Sequence, residues 1–277
     1  MLRILFLGQK RFGEEAWEIL RRYEGQHYQI SAVCSNQSAE RVWWKSCRIH
    51  DTCQELPFVD NEKKNEDRLL EIIQTHQINF ILCAQHSWIL SRNILQAVAY
   101  QAINFHNARL PDYRGYNAVN HAILNQDRTF TCTSHWMADE VDRGDIIYEA
   151  VYDITPEDTA ISLYAKAHHA GLILFETIVA HLGQRESFPH RRMNGTGNFY
   201  PRNSIAALRE VRTSEEMERK SKAFYFPPFE PAYFRENERK TYVLPPMLLN
   251  TGFIPADMSL LDRLIDQTKD QFTCRIQ

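Results

Sequence analysis

Blocks of apolar and polar residues alternate along the first hundred positions of the chain. Nearly continuous apolar runs, typical of strands covered on both faces, occupy residues 2–8, 28–34, 57–60, 78–84 and 102–105. Between these runs, apolar residues recur at helical spacing, which predicts helices around residues 12–23, around 69–73 and from 91 onward. Residues 41–53 follow neither period and are predicted to be a loop. This alternation predicts an α/β fold with a doubly wound, mostly parallel sheet.

The pattern changes after residue 106. Residues 129–137 and 146–152 predict two longer strands, preceded by a short helix at 118–124. Thr155, followed by a proline and then by an acid three residues on, predicts an N-cap and the start of a long helix. We expect residues 1–200 to form the main domain. The remainder, residues 201–277, is predicted to be a small C-terminal region that is richer in proline and aromatic residues.

Composition narrows the class of protein. Of the 277 residues, 44% are hydrophobic and 24% are charged, which is ordinary for a globular chain and unlike a disordered one. No apolar run approaches the roughly 18 residues of a membrane span, and the N-terminal run is too short for a signal peptide. A net charge of −3 gives no reason to expect nucleic acid as a partner. Six scattered cysteines are typical of reduced thiols, so we expect a cytoplasmic protein without a membrane partner.

The turn Gly8–Gly13 follows the first predicted strand and opens a helix, a position where phosphate groups often bind. It lacks both the P-loop pattern and the dinucleotide-binding glycine pattern. Lys10 and Arg11 are therefore either solvated residues of a tight turn or cations that hold a diphosphate.

Two groups of potential metal ligands are predicted to bind no metal. Cys47, His50 and Cys53 have no second ligand pair at zinc-site spacing. His168 and His169 lie in a predicted helix without an acidic partner at metal-binding spacing, so we interpret them as structural residues. No metal cofactor is expected.

The strongest chemical signal runs from Asn104 to Gly115, with the sequence NFHNARLPDYRG. Asn104 and His106 are two residues apart at the carboxyl end of a predicted strand, so their side chains share one face. Ligands of doubly wound sheets bind at this end of the strands, which puts both side chains in the expected crevice. Downstream, Asp142 lies in a glycine-containing turn just before a strand, within the sequence EVDRGDI.

These motifs resemble those of the formyltransferase family that uses 10-formyltetrahydrofolate. The resemblance rests on Asn-x-His, Leu-Pro-x-Tyr-Arg-Gly and Asp-x-Gly-Asp-Ile, and it covers about residues 1–200. The tail KAFYFPPFEPAY at 222–233 and the FYPR sequence at 199–202 are similar to the nucleotide-sugar N-formyltransferases. One departure follows His106, where relatives often have Ser-Leu-Leu-Pro and this chain has Ala-Arg-Leu-Pro. Arg109 is therefore a candidate for altering the folate or sugar side of the pocket.

The resemblance implies a reaction in which a primary amine attacks a formyl carbon. Asn104 would donate to the oxyanion that forms, and such donors are typically worth ~10²–10³ in rate. His106 would donate to the same oxygen and protonate the departing folate nitrogen. Asp142 would hold the imidazole and accept the proton that the amine loses. The alternative is a buried polar network that braces the junction between strand and loop.

The resemblance also implies binding sites for both substrates. Folate is expected at the loop after the fourth predicted strand and at the Arg-Gly of the central motif, through Gln85, His86, Ser87, Trp88, Leu90, Arg114 and Gly115. The acceptor substrate is expected at Lys10, Arg11, Asn117, Tyr200, Arg202, Phe229 and Tyr233. Trp88, Leu90 and the C-terminal aromatic residues are equally consistent with a packed core.

The predicted reaction transfers a formyl group from 10-formyltetrahydrofolate to the amine of a nucleotide-linked amino sugar. The specific candidate is dTDP-4-amino-4,6-dideoxyglucose, a precursor for lipopolysaccharide O-antigen. Residues 1–200 would be the catalytic domain, and residues 201–277 would supply nucleotide contacts and a homodimer interface. Methionyl-tRNA formyltransferase is an alternative, although it should carry a larger, basic C-terminal domain. A 10-formyltetrahydrofolate hydrolase and a non-catalytic nucleotide-binding protein are the remaining alternatives.

Overall fold

The computed structural model describes residues 1–25, 27–42, 44–53, 55–182, 187–246 and 259–277. Its strands are β1 (Leu2–Gly8), β2 (Tyr28–Ser35), β3 (Phe58–Asp60), β4 (Phe80–Ala84), β5 (Ala102–His106), β6 (Arg114–Gly115), β7 (Thr129–Trp136), β8 (Ile146–Asp153), β9 (Phe199–Tyr200), β10 (Ala232–Glu236), β11 (Arg239–Val243) and β12 (Arg275–Ile276). Its α-helices are α1 (Lys10–Arg22), α2 (Arg48–Thr52), α3 (Glu66–Thr75), α4 (Arg92–Ala97), α5 (Ala118–Leu124), α6 (Ala160–Leu182), α7 (Ser214–Ala223) and α8 (Ser259–Thr268).

The main sheet joins strands of the described residues in the order β12–β8–β7–β5–β4–β1–β2–β3. From β3 to β5 neighbouring strands run parallel, whereas β7, β8 and β12 extend the sheet in antiparallel pairs. The doubly wound, mostly parallel α/β fold predicted from the sequence is confirmed. The chain leaves β1 toward β2 on one side and returns to β4 on the other. The carboxyl ends of β1 and β4 therefore flank the crevice where such sheets bind ligands.

Strand β1 is buried on both faces, which explains its continuous apolar sequence. Ile4 and Phe6 belong to the hydrophobic cluster that includes α1 and α6. Leu5 and Leu7 belong to the cluster on the other face, which includes α3 and α4. All four side chains are fully buried, and burying one such side chain contributes roughly 1.5–3 kcal/mol. The strand that leads to the crevice is thus held from both sides.

Helices α1 and α6 approach each other closely on one face of the sheet. The contact depends on Gly171, since a Cβ atom at that position would lie 2.8 Å from the Phe12 ring. The Phe12 ring also meets the imidazole of His168 edge-on, with 6.1 Å between ring centroids. The His168 Nε2–H donates to the Glu15 carboxylate across 3.2 Å, and the side chain is 1% exposed.

Residues 41–53 contain a short helix that the sequence pattern does not predict. Instead of a loop throughout, α2 occupies Arg48–Thr52. The carboxylate of Glu14 on α1 accepts a hydrogen bond from the Arg48 backbone N–H at 3.1 Å and another from the Ser46 hydroxyl. An acceptor at a helix N-terminus stabilises it as a local cap would. The partner lies more than thirty residues away, so no local pattern could indicate it.

Helix α6 begins at Ala160, five residues after the predicted N-cap at Thr155. Instead, the Asp158 carboxylate turns back and accepts the Thr155 N–H at 2.8 Å, which closes a turn before the helix. The capping role passes to Thr159, whose N–H donates to the Ser162 hydroxyl while the Thr159 hydroxyl accepts the Ser162 N–H. This reciprocal pair has the geometry of a capping box.

The segment after residue 200 returns to the main sheet and packs on its helices. Helix α7 contacts α5, and α8 contacts α6. Strand β12 pairs with the edge strand β8, with Arg275 opposite Val151. The division into two domains at residue 200 stays a prediction. None of the described helices is both long enough and apolar enough to cross a membrane.

Candidate active site

A cavity of about 630 Å³ opens at the carboxyl ends of β1, β4 and β5. Gln9 and Lys10 contribute to its lining after β1, and residues 85–90 contribute after β4. Asn104 and His106 line it from the end of β5. The cavity therefore lies at the reversal of strand order, where the fold predicts a ligand.

Strand β5 presents Asn104 and His106 to this cavity because side chains two apart on a strand share a face. Phe105, between them, points to the opposite face and packs on Phe175 of α6 at a centroid distance of 5.0 Å. The strand is thus anchored by its apolar residue while its polar residues face the cavity.

The antiparallel strands β7 and β8 bring Asp142 to the same place. Asp142 lies in their connecting loop with a φ of 53°, a left-handed conformation. Gly144 makes the turn feasible, since a Cβ there would lie 1.8 Å from the Trp136 carbonyl oxygen. The Gly115 N–H donates to Asp142 Oδ2 at 2.9 Å and ties the loop to β6. Asn104, His106 and Asp142 thus converge although the third is distant in sequence.

The two ring nitrogens of His106 have different partners. Nε2 is 2.7 Å from the Tyr113 carbonyl oxygen. Because a carbonyl only accepts, Nε2 carries a hydrogen. Nδ1 faces Asp142 Oδ2 at 3.7 Å. A proton on Nδ1 would therefore lie between the imidazole and the carboxylate.

His135 completes the cluster, and the sequence motifs do not single it out. It lies opposite Asn104 in the β5–β7 pair and is 1% exposed. Its Nε2 atom is 3.0 Å from Asn104 Nδ2 and 3.6 Å from Asp142 Oδ1. The only visible signal is a polar residue at the end of an otherwise strand-like segment. Its importance depends on which strand pairs with β5.

The carboxylate of Asp142 stays ionised in spite of its burial. Burial alone would favour the neutral acid. The imidazole of His106 and the Gly115 N–H outweigh this effect and hold the pKa of Asp142 well below its usual value. The cluster thus contains a permanent negative charge next to two imidazoles.

The loop after β4 brings unpaired polar atoms into the cavity lining. Both ring nitrogens of His86 and the Trp88 indole nitrogen are buried, and none has a hydrogen-bond partner in the described part of the chain. The two rings are 4.4 Å apart. Burial lowers the pKa of His86 to about 3, so its imidazole is neutral. Buried polar atoms without partners are costly, and a ligand that hydrogen-bonds them would remove that cost.

The remaining residues of this loop also face the cavity. Gln85 exchanges hydrogen bonds with the Tyr164 hydroxyl at 3.1 and 3.3 Å. Ser87 donates to Asn61. Leu90 lines the cavity and belongs to the hydrophobic cluster on the α3–α4 face, so it has both of the roles considered from the sequence.

Four of the residues expected at the acceptor substrate line the same cavity, namely Lys10, Asn117, Arg202 and Phe229. Gly115, from the expected folate set, lines it as well. Asn117 has a φ of 61°, and its side-chain amide donates to the Arg202 carbonyl at 3.0 Å. The Arg202 guanidinium lies 5.8 Å from the centre of the Tyr116 ring. These contacts join α5 to the segment after β9.

Arg11 and Tyr233, two expected substrate residues, lie outside the cavity lining. Arg11 points toward α8, where it forms ion pairs with Asp262 and Asp266. Tyr233 is 7% exposed, and the Lys240 ammonium lies 4.1 Å from its ring centre. Both side chains are held by contacts with the C-terminal region, which sequence position alone does not reveal.

Arg114 and Tyr200 also lie outside the lining. Arg114 pairs with Glu140, and its guanidinium lies 5.9 Å from the Phe199 ring centre. Tyr200 stacks on the His121 ring at 3.8 Å between centroids. Phe199, the residue before Tyr200, lines the cavity instead and is 49% exposed.

Arg109, the departure within the central motif, does not reach the cavity. Its guanidinium donates to Asp112 at 2.8 Å and lies 3.7 Å from Asp127. Arg109 is not among the residues that line the cavity, and its influence on the folate or sugar side of the pocket stays a prediction. As for metals, the described residues bring together no group of three His, Cys, Asp or Glu side chains that could bind one.

The family model for formyl transferases matches residues 2–179 of the chain. A curated relative, the methionyl-tRNA formyltransferase of Fusobacterium nucleatum, is 25% identical over 174 residues, which are 61% of this chain and 55% of that protein. The chain therefore spans little more than half the length of this curated relative.

Solved structures are similar over more of the chain. A 4-N formyltransferase from Francisella tularensis has a TM-score of 0.72 at 19% identity, covering 88% of this chain and 96% of its own. An N-formyltransferase from Helicobacter canadensis, solved in complex with folinic acid and dTDP-3-aminofucose, has a TM-score of 0.69 at 20% identity, covering 87% and 86%. At identities this low, the structural similarity establishes the fold alone. With the family model matching more than half of its length, the chain belongs to the formyl transferase family.

Proposed function

We propose that this protein transfers a formyl group from 10-formyltetrahydrofolate to the primary amine of a nucleotide-linked amino sugar. The observation that carries the proposal is the convergence of Asn104, His106 and Asp142 at one end of the cavity. A neutral amide, an imidazole and an ionised carboxylate are the groups that acyl transfer to an amine requires.

The loop 85–90 supports a folate as the formyl donor. A pterin is a flat heteroaromatic ring with several hydrogen-bond donors and acceptors. The unpaired nitrogens of His86 and Trp88 offer such a ring both polarities beside apolar surface. The folinic acid bound by the Helicobacter canadensis protein is a formylated folate of the same class. The bound donor would supply the formyl carbon, carried on N10.

Asn104 can polarise the formyl oxygen. One of its two amide hydrogens points to His135 Nε2 at 3.0 Å, and the other points to Asp142 Oδ1 at the long distance of 3.5 Å. The second hydrogen is weakly held and can turn to an oxygen that gains negative charge. A fixed donor of this kind stabilises the transition state more than the ground state.

His106 and Asp142 can transfer the two protons that move during the reaction. The amine loses a proton as it attacks, and the folate nitrogen gains one as it departs. Nδ1 is the nitrogen of His106 that can give up a proton, since Nε2 is bonded to the Tyr113 carbonyl. The carboxylate 3.7 Å from Nδ1 can accept the proton of the amine.

Other residues of the cavity lining support a nucleotide-linked acceptor. Lys10 and Arg202 add positive charge to the lining, and Phe199 and Phe229 present rings that are about half exposed. Cations bind a diphosphate, and exposed rings stack on a base. We propose dTDP-4-amino-4,6-dideoxyglucose as the acceptor. A homodimer and a cytoplasmic location stay predictions.

Methionyl-tRNA formyltransferase is the second candidate, because the curated relative carries that name. Its substrate is a polyanion, which is normally bound by a surplus of basic residues. The net charge of −3 and the presence of Glu230 in the cavity lining favour the smaller substrate.

The test is release of tetrahydrofolate from 10-formyltetrahydrofolate with a panel of acceptors. The panel comprises dTDP-linked 4-amino and 3-amino 6-deoxyhexoses, GDP-linked 4-amino sugars, charged initiator tRNA and a control without acceptor. We expect release only with a nucleotide-linked amino sugar, together with formylation of its amine. Release without any acceptor would identify a hydrolase. Folate binding with no release across the panel would identify a protein that only binds.

A further inference from the structure

A chain of three polar residues links the ends of β1, β3 and β4 beside the cavity. The Ser87 hydroxyl donates to Asn61 Oδ1 at 2.7 Å, and Asn61 Nδ2 donates to Gln9 Oε1 at 3.0 Å. Ser87 and Gln9 line the cavity, whereas Asn61 lies behind them. The residue that follows β3, remote from the reacting groups, thus connects two walls of the site.

Asn61 is rigidly placed. It is 2% exposed, and its backbone N–H donates to the Ser35 carbonyl at 2.8 Å, which fixes it behind β2 and β3. Its side-chain oxygen is bonded to Ser87 and its side-chain nitrogen to Gln9. In this arrangement both groups of the amide are occupied, and the Ser87 hydroxyl also lies 3.0 Å from the Asn61 backbone carbonyl oxygen.

The orientation of Asn61 determines which end of the Gln9 amide faces the cavity. Gln9 is 7% exposed and its carbonyl oxygen is taken by Asn61. The group that remains for the cavity is its NH₂, for which the described part of the chain provides no acceptor. This donor is open to the cavity, where an acceptor atom on a bound ligand can bind it.

We propose that Gln9 donates a hydrogen bond to a carbonyl or phosphoryl oxygen of a substrate, and that Asn61 is the positioning residue that makes Gln9 a donor. This inference rests on the proposed formyl transfer. An oxygen of this kind exists on the folate and on the diphosphate of the acceptor. Separate measurements for the two substrates identify which one Gln9 contacts.

Two substitutions reverse the polarity of this group with little change of shape. In Asn61→Asp, the Gln9 amide must turn its NH₂ to the new carboxylate and its oxygen to the cavity. In Gln9→Glu, the NH₂ itself becomes an oxygen. Each places an acceptor where the ligand presents another acceptor, so we expect KM for one substrate to rise about 10-fold or more. The kcat and the KM for the other substrate should stay within about twofold, because the hydrogen bond contributes equally to ground and transition states.

Asn36→Asp is the matched control. Asn36 follows β2 as Asn61 follows β3, it is also 2% exposed, and its Nδ2 donates to the Ser46 carbonyl at 2.7 Å. It does not line the cavity. This variant should lose thermal stability to a similar degree as Asn61→Asp while both KM values stay those of the wild type.

Calorimetric binding of folinic acid and of dTDP, measured on the same variants, separates this inference from the proposed function. If the wild type binds these ligands but transfers no formyl group, the binding constants take the place of KM. The inference is wrong if both variants bind both ligands as the wild type does. It is also wrong if Asn61→Asp lowers kcat and raises both KM values together, as general loosening would. A wild type that neither binds nor reacts overturns the proposed function, and this inference with it.

Discussion

Asn104 and His135 lie opposite each other in the antiparallel pair β5–β7, with 3.0 Å between Asn104 Nδ2 and His135 Nε2. His135 Nδ1 is 2.8 Å from the Trp136 carbonyl oxygen, so Nδ1 carries the hydrogen and Nε2 is the acceptor. A backbone carbonyl therefore selects the tautomer of a buried histidine, and that histidine orients the amide at the centre of the site.

We expect His135→Phe to lower kcat about 10-fold or more by releasing the Asn104 amide, since small misplacements of a donor are costly in catalysis. Formyl transfer at saturating substrate is the measurement. His169→Phe is the control, because His169 is also buried but hydrogen-bonds the Ile265 carbonyl far from the cavity. An unchanged kcat in His135→Phe would show that Asn104 needs no such support.

Asp142→Asn should reduce kcat by about 100-fold or more, as expected when a positioned proton acceptor is removed. The substitution keeps the shape of the side chain and an oxygen for the Gly115 N–H, but it removes the charge beside His106. Asp139→Asn tests the same change nearby, at a carboxylate that is paired with Arg92 at the surface. Similar losses in both variants would contradict the assigned role of Asp142.

Lys10→Ala should change substrate binding and Arg11→Ala should change thermal stability, although the two cations are adjacent. Lys10 lines the cavity, so its removal should raise KM for the acceptor substrate about 10-fold. Arg11 pairs with Asp262 and Asp266, so its removal should lower the melting temperature and leave KM unchanged. A raised KM in Arg11→Ala would show that Arg11 contacts the substrate after all.

His86 should make the unliganded protein sensitive to acid. Its pKa is about 3 in the folded state, below the value of roughly 6.5 of an unfolded chain. Between these pH values the unfolded state binds a proton that the folded state does not, so stability falls as pH falls through this range. The loss from one such group is about 2 kcal/mol at pH 5.

His86→Phe should therefore melt at a higher temperature than the wild type at pH 5, with a smaller difference at pH 8. The same variant should bind folinic acid more weakly, because the unpaired ring nitrogens of this cavity-lining residue are gone. Thermal melts at both pH values and calorimetric titration measure the two effects. An identical melting difference at pH 5 and pH 8 would disprove the neutral buried imidazole.

Local patterns explain which predictions agree with the structure. The apolar runs of β1 and β4 predict buried strands because both faces of these strands are covered. The shared face of Asn104 and His106 follows from the two-residue period of a strand. Both properties depend on neighbours in the sequence, which a single chain records directly.

Contacts between distant segments explain most of the places where the structure differs from the predictions made from the sequence. The helix α2 depends on the Glu14 carboxylate, and the direction of Arg11 depends on acids of α8 some 250 residues later. Neither partner has a local signature. Arg109 differs, because its shorter contact is with Asp112, three residues away, and its contact with Asp127 is longer.

Short-range periodicity and contiguous motifs were enough to predict the α/β class, the family and the shared face of Asn104 and His106. The support of Asn104 by His135, the distance between Asp142 and His106 and the direction of Arg11 are visible only in the folded chain. Those relationships depend on which strands pair and which helices dock, and these are determined by burial and hydrogen bonding over the whole chain.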